Sequence, residues 1–348
     1  MQEIRVGIIG AGTNTKLMHI PKLQEIPGVS INAICNRSEA SSEKVAREFG
    51  IRRVFINWQE LVEDEEIDAI VIGTWPYMHE IISNAALMEG KHVLCEARMA
   101  MNAAEAHEML RVSRCYPHLV AQIVPAPFTF PFDQEIQKII SSGQLGKLLA
   151  VNVKFNSSTF LNTSQEMTWR ENIELSGLNT MLMGIVYESM TRWLGHAKSV
   201  MAQGKICNCT KTFEGEIKAI EIPEHLNIIA NMHCGALAQM QFSAVTGLAE
   251  NSQEIWLYGS EGTLHLNLQT NVLRVGDKNS QKMQEIKPLE HKYNKWRVEE
   301  EFIGAIRGQE KTKFTTYQEG VRYMEFTEAV AISCRQGKKV ELPLNLNK

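Results

Sequence analysis

The sequence predicts an α/β protein of two domains. The first is a doubly wound parallel sheet, and the second is an α+β domain dominated by one mainly antiparallel sheet. Three observations carry this. Over residues 1–125, five short apolar runs alternate with helical stretches, the pattern of βαβ units with right-handed crossovers. Pro125, Pro127 and Pro131 then mark a change of pattern. Beyond them, Leu226 to Val245 alternates apolar and polar residues, as antiparallel strands with one covered face do. At 348 residues the chain has room for two domains of ordinary size. Their expected bounds are 1–125 and 126–348, with the C-terminal helices placed to pack back on the first.

Taken in order, Ile4 to Ile9 reads as a buried strand and Ile31 to Cys35 as the next. Ile67 to Ile72, Lys91 to Cys95 and Leu119 to Ile123 complete the parallel set. Ser41 to Phe49 reads as a helix, as does Tyr77 to Met88, which Gly90 would end. In the second domain, helical signal covers Asp133 to Ser141 and Asn179 to Leu194. Ser199 to Val275 reads mainly as strands, and Trp296 to Arg307 and Gln318 to Arg335 are helical again.

Composition narrows the function. Lys and Arg number 36 against 40 Asp and Glu, a formal net charge of −4. That balance argues against a nucleic-acid partner, which would require a basic stripe. No apolar run reaches the ~18 residues of a membrane span, and Met1 to Arg5 lacks the features of a signal peptide. Seven cysteines without framework spacing, of which only Cys207 and Cys209 lie close, predict buried thiols of a cytoplasmic protein and no metal site.

Gly10-Ala11-Gly12-Thr13-Asn14-Thr15 follows the first strand and precedes a helical segment. In that context the pattern is a Rossmann dinucleotide fingerprint. Gly10 allows the tight turn, Gly12 allows close approach of backbone to a pyrophosphate, and the phosphates would rest on the helix N-terminus with Thr13 and Asn14. Thr15 stands where the third glycine belongs. The second strand ends in Asn36-Arg37-Ser38, without the acidic residue that holds the ribose hydroxyls of NAD. A guanidinium there suits a 2′-phosphate or an adenine face, so NADP is expected in preference to NAD.

Eight segments together resemble the Gfo/Idh/MocA oxidoreductases, nearly end to end. In the first domain they are Gly10-Ala11-Gly12, His19-Ile20-Pro21-Lys22-Leu23, Thr74-Trp75-Pro76-Tyr77-Met78-His79 and Gly90-Lys91-His92-Val93-Leu94-Cys95-Glu96. In the second they are Ser142-Gly143-Gln144-Leu145-Gly146, Trp169-Arg170, Tyr258 to Leu264 and Phe302 to Gly308. The resemblance implies a Rossmann NAD(P)-binding domain and a second domain whose large open sheet carries the substrate pocket and pairs subunits. It implies that Thr74, Trp75 and His79 line the nicotinamide ribose and ring, with Glu96 beside the nicotinamide. Trp169, Arg170, Leu182, Met183 and Val186 would gather at the substrate pocket.

The departures from that family matter as much. Its Glu-Lys-Pro reads Glu96-Ala97-Arg98, and its Asp-x-Gly-x-His-x-x-Asp reads Leu182-Met183-Gly184-Ile185-Val186-Tyr187-Glu188-Ser189. The lysine and histidine that serve hydride transfer at a carbinol are thus replaced by Ala97 and Val186. Loss of positioned acid–base groups typically lowers rates by roughly 10²–10⁴, which argues for a substrate other than the usual polyols. Arg98 and Tyr187 are the catalytic candidates left, Arg98 to stabilise negative charge and Tyr187 to relay a proton. The alternative is a catalytically silent NAD(P)-binding sensor. In assembly, the alternating apolar residues around Leu226 to Met232 and Ala236 to Phe242 predict a homodimer or homotetramer paired through the sheet.

Overall fold

A computed structural model describes residues 3–248, 252–288 and 295–345. The chain divides into two compact units, Met1–Pro125 with Arg297–Val321, and Ala126–Trp296 with Arg322–Lys348.

The first unit holds a six-stranded sheet of β1 (Ile4–Ile9), β2 (Val29–Cys35), β3 (Arg53–Val54), β4 (Ala69–Ile72), β5 (His92–Cys95) and β6 (Ala121–Ile123). The strands run β3-β2-β1-β4-β5-β6, and every pairing is parallel. This is the Rossmann order, whose ligands bind beyond the carboxyl ends of the strands where the order reverses, between β1 and β4. The inner strands are mostly apolar, as strands covered on both faces are; Val6, Ile8, Ile70 and Val93 are all buried.

Local chemistry explains the shifted boundaries. β4 starts two residues later than the apolar run suggests, because Asp68 takes the Arg5 backbone N–H at 2.8 Å and its guanidinium as well. The helix expected from Tyr77 is a 3₁₀ turn (Pro76–Met78) followed by α4 (His79–Met88). After the glycine turn, a π-helical stretch (Thr15–His19) leads into α1 (Ile20–Glu25). Pro21, which has no N–H for the ladder, sits where that register changes. α2 (Glu39–Phe49), α3 (Trp58–Glu63), α5 (Ala103–Cys115) and the returning α9 (Val298–Ile306) complete the unit.

The second unit is built on nine strands. In chain order they are β7 (Leu148–Asn156), β8 (Ala197–Lys205), β11 (His225–Met232), β12 (Leu237–Ser243), β13 (Gln253–Gly259), β14 (Gly262–Asn267), β15 (Val272–Asp277), β16 (Gln284–Ile286) and β17 (Val340–Glu341). β9 (Thr210–Phe213) and β10 (Glu216–Ala219) form a separate hairpin. The sheet order is β16-β15-β14-β13-β7-β12-β11-β8-β17. Only the β7–β12 pairing is parallel. Its helices are α6 (Asp133–Ser141), α7 (Ile173–Ser176), α8 (Met183–Leu194) and most of α10 (Tyr317–Gln336). α8 begins four residues later than expected because Met181 adopts φ +46°, outside the right-handed helical region.

One expectation about this sheet is corrected. Leu226, Ile228, Ala230 and Met232 of β11 and Ala238, Met240 and Phe242 of β12 are buried inside the unit, so they are not the face offered to a partner. The period of two puts Asn227, Ile229, Asn231, Leu237 and Gln239 outside instead. Among the described residues, no helix is long and apolar enough to cross a membrane.

Candidate functional site

The carboxyl ends of β1, β2, β4 and β5 bring together most of the residues singled out in the first domain. Gly10 leaves β1 with φ +85°, and its N–H donates to the Cys35 carbonyl at 2.9 Å. A Cβ there would lie 2.6 Å from the Thr74 amide nitrogen. Gly73, after β4, approaches equally closely: its Cβ would meet Thr15 Oγ1 at 2.1 Å and the Gly10 carbonyl oxygen at 2.2 Å. This accounts for threonine at the third glycine position. Thr15 is buried and donates its hydroxyl to the Gly10 carbonyl at 3.2 Å, filling the room Gly73 leaves.

Gly12 is different. The nearest atom to a Cβ there is the Gly73 oxygen at 3.5 Å, so packing does not require glycine. Gly12, Thr13 and Asn14 are exposed at the start of the helix, where backbone N–H groups have no partner within the helix and point outward. An open cradle of N–H donors at a helix N-terminus fits a pyrophosphate.

The residues after β2 divide their work. Asn36 turns inward: its Oδ1 accepts the Ala11 N–H at 2.7 Å, its Nδ2 donates to Ser41 Oγ at 3.2 Å, and its own N–H donates to Ser42 Oγ at 2.8 Å. It therefore shapes the glycine turn, which corrects the expectation that it offers its side chain to the cofactor. Ser38 caps α2, accepting the Ser41 N–H at 3.4 Å. Arg37 is exposed, with its guanidinium 5.7 Å from the centre of the Trp75 ring, a cation–π pair. Trp75 and Thr74 are half-buried after β4.

Glu96, after β5, is the most constrained group. Its Oε1 accepts from Asn14 Nδ2 and lies 2.9 Å from His19 Nε2, and its Oε2 accepts the Ala97 N–H at 3.2 Å. His19 Nδ1 lies 2.6 Å from Glu299 of α9. With a carboxylate on each nitrogen, both must donate, so the ring is an imidazolium. Burial alone would lower its pKa, but the hydrogen bonds to Glu299 and Glu96 raise it to about 9. Burial would likewise raise that of Glu96, yet His19 and Asn14 hold it below the ordinary carboxylate value. Sequence reasoning assigned no role to His19, although it lies in a quoted segment, nor to Glu299, whose run of three glutamates carries no signal. Gly73 was missed too; a glycine directly after a buried strand was its signal.

Three other expectations are corrected. His79 is wholly buried, with Nδ1 2.8 Å from the Arg98 carbonyl and Nε2 3.0 Å from the Thr74 carbonyl. Burial lowers its pKa, and it ties the loops after β4 and β5 together instead of facing a ligand. Tyr187 is buried in α8; its hydroxyl accepts the Ala197 N–H at 2.8 Å and its ring stacks on Phe326 at 3.7 Å. Met183 and Val186 are buried in the second unit, leaving Leu182, Trp169 and Arg170 with surface. Arg170 packs its guanidinium on the Trp169 ring at 4.3 Å. Arg98 is buried.

Comparison with known proteins fits this geometry. Residues 4–120 match the family described as "Oxidoreductase family, NAD-binding Rossmann fold", and residues 134–265 match the "GFO/IDH/MocA C-terminal domain". An uncharacterized oxidoreductase of Synechocystis sp. is 25% identical over 273 residues, 76% of this chain and 71% of that protein. Trans-1,2-dihydrobenzene-1,2-diol dehydrogenase of Bos taurus is 26% identical over 155 residues, 44% of this chain and 45% of that one. Among solved structures, levoglucosan dehydrogenase in complex with NADH and L-sorbose superposes with a TM-score of 0.85 at 18% identity, over 99% of this chain and 100% of that one. The chain belongs to the Gfo/Idh/MocA family, as an oxidoreductase with a nicotinamide-nucleotide-binding Rossmann domain.

Proposed function

We propose that the protein transfers hydride between NADP(H), in preference to NAD(H), and a small-molecule substrate other than the usual polyols. The observation that carries the cofactor reading is the pairing of an open N–H cradle at Gly12 with a β2 end that presents Arg37 and no carboxylate. Backbone N–H groups of Gly12, Thr13 and Asn14 would hold the pyrophosphate. Arg37 and the Ser38 hydroxyl would receive the 2′-phosphate, and Thr74, Trp75 and Glu96 would meet the nicotinamide riboside. When bound, the nicotinamide supplies the hydride acceptor or donor. Titration of NADPH and NADH by fluorescence tests this: NADPH should bind more tightly, and Arg37→Ala should weaken NADPH selectively. Equal weakening of both nucleotides, or of neither, would sink the preference.

The substrate reading rests on the replaced lysine and histidine, Ala97 and Val186. Arg98, carried on the same loop, would stabilise negative charge on a substrate oxygen; it cannot act as a base, since its pKa is above ~12. Glucose, inositol and similar polyols should give no appreciable nicotinamide reduction, and robust turnover of any of them would overturn this reading. The same two replacements favour a second one, a nucleotide-binding sensor without turnover. It would be favoured if bound NADPH were oxidised by no carbonyl or conjugated compound. We further take the protein to act in the cytoplasm as a homo-oligomer, paired through the outer face of its large sheet.

A further inference from the structure

We infer that His19, held between Glu299 and Glu96, is a positioning residue that fixes Glu96 as an ionised carboxylate at the nicotinamide end of the cofactor, and that this carboxylate favours the oxidised nicotinamide over the reduced one. This deepens the proposed function and rests on its reading of the first unit as a nicotinamide-nucleotide site. Position comes first. The adenosine half of a dinucleotide lies at the β2 side of the switch point, so the nicotinamide half lies beyond β4 and β5. Glu96 is the first residue after β5, and Asn14, from the phosphate-binding turn, donates to the same oxygen as His19.

Charge comes next. His19 and Glu299 are wholly buried, whereas the Glu96 side chain keeps 16% of its surface. A buried charge without a partner is costly, and here each nitrogen of the imidazolium has a carboxylate. Of the three groups only Glu96 keeps surface, so its carboxylate is the charge that can act on a ligand. The titratable groups acting on His19 include Glu96, after β5, and Glu299, on α9; those acting on Glu96 include His19 and His79, and burial lowers the pKa of His79. Oxidised nicotinamide carries a positive ring and the reduced form a neutral one, so the carboxylate discriminates between them. By linkage, a cofactor held more tightly when oxidised is a stronger hydride donor bound than free.

The sign with pH follows. His19 is protonated below about 9 and loses its charge above it, so one positive charge beside Glu96 is lost and the oxidised ring gains. The test measures Kd for NADPH by fluorescence and for NADP⁺ by competition, from pH 7.5 to 10.5. The ratio Kd(NADP⁺)/Kd(NADPH) should fall about threefold with a midpoint near 9, the size of one charge acting through water at about 7 Å, one side chain behind the carboxylate. In His19→Gln, checked for folding by circular dichroism, the ratio should be flat. Independently, Glu96→Gln should raise the ratio about fivefold at pH 7.5. A flat ratio in the wild type, the same slope in His19→Gln, or an unchanged ratio in Glu96→Gln overturns the inference. Failure to bind either nucleotide overturns the proposed function instead.

Discussion

Gly12 and Gly73 flank the same turn for opposite reasons, and substitution separates them. A Cβ on Gly73 overlaps a buried hydroxyl and a carbonyl whose position the Gly10 turn fixes. Gly73→Ala should therefore destabilise the protein by about 1–3 kcal/mol, as overpacking does, seen as a lower Tm without nucleotide. Gly12→Ala meets nothing closer than 3.5 Å. It should leave that Tm in place while weakening nucleotide binding by roughly tenfold, about 1.4 kcal/mol. A Tm loss in Gly12→Ala equal to that in Gly73→Ala would mean the cradle is a packing feature. Gly10 and Gly12 were legible in the sequence because their spacing and their place after a strand are local. Gly73 was not, because its reason is Thr15, which stands opposite only in the fold. His19 and Glu299, 280 residues apart, were hidden for the same cause.

At the scale of elements, α8 shows how a family position can be read correctly and its side chain wrongly. The helix was legible from its apolar spacing, but the direction of Tyr187 depends on what packs against it. Its hydroxyl holds the first N–H of β8, and its ring lies flat on Phe326 of α10. Tyr187→Phe should cost about 1–3 kcal/mol, since it leaves a buried N–H without its acceptor, and should leave nucleotide affinity and the pH profile of any turnover unchanged. A selective loss of turnover in that variant would restore the proton-relay role. About a turn and a half on, Arg192 joins Glu188 of its own helix at 2.7 Å and Asp133 of α6 at 2.8 Å, both carboxylates buried. Arg192→Ala would take the guanidinium from two buried carboxylates and should destabilise the unit by about 3–5 kcal/mol, far more than the tyrosine change. That contrast in thermal melting checks the packing assignment for α8 as a whole.

At the scale of the whole molecule, the outer face of the nine-stranded sheet decides assembly. Leu149, Met201, Ile229 and Leu237 each keep about half their surface there (52, 51, 52 and 51%), among Asn227, Asn231 and Gln239. Ile229 of β11 lies opposite Met201 of β8, and Leu237 of β12 opposite Ala150 of β7. Covering a half-exposed aliphatic side chain gains about 1 kcal/mol, so eight of them from two copies gain roughly 8 kcal/mol. Association costs an estimated 4–15 kcal/mol, so the aliphatic residues alone do not secure a stable pair. The same face adds two partly exposed aromatics: Trp256, which stacks on the buried His265 at 3.8 Å, lies 5.9 Å from Tyr258. Aromatic anchors of this kind carry much of the binding energy in interfaces, and a two-fold arrangement would oppose each pair with its copy. Light scattering at micromolar concentration should therefore give a mass of two or four chains. Ile229→Glu places a carboxylate on the aliphatic patch, facing its own copy across a two-fold, and should reduce the mass to one chain while nucleotide affinity in the first unit stays within about twofold, well under 1 kcal/mol. A wild-type mass of one chain would mean that this face meets only water, and that its aromatic pair needs another explanation.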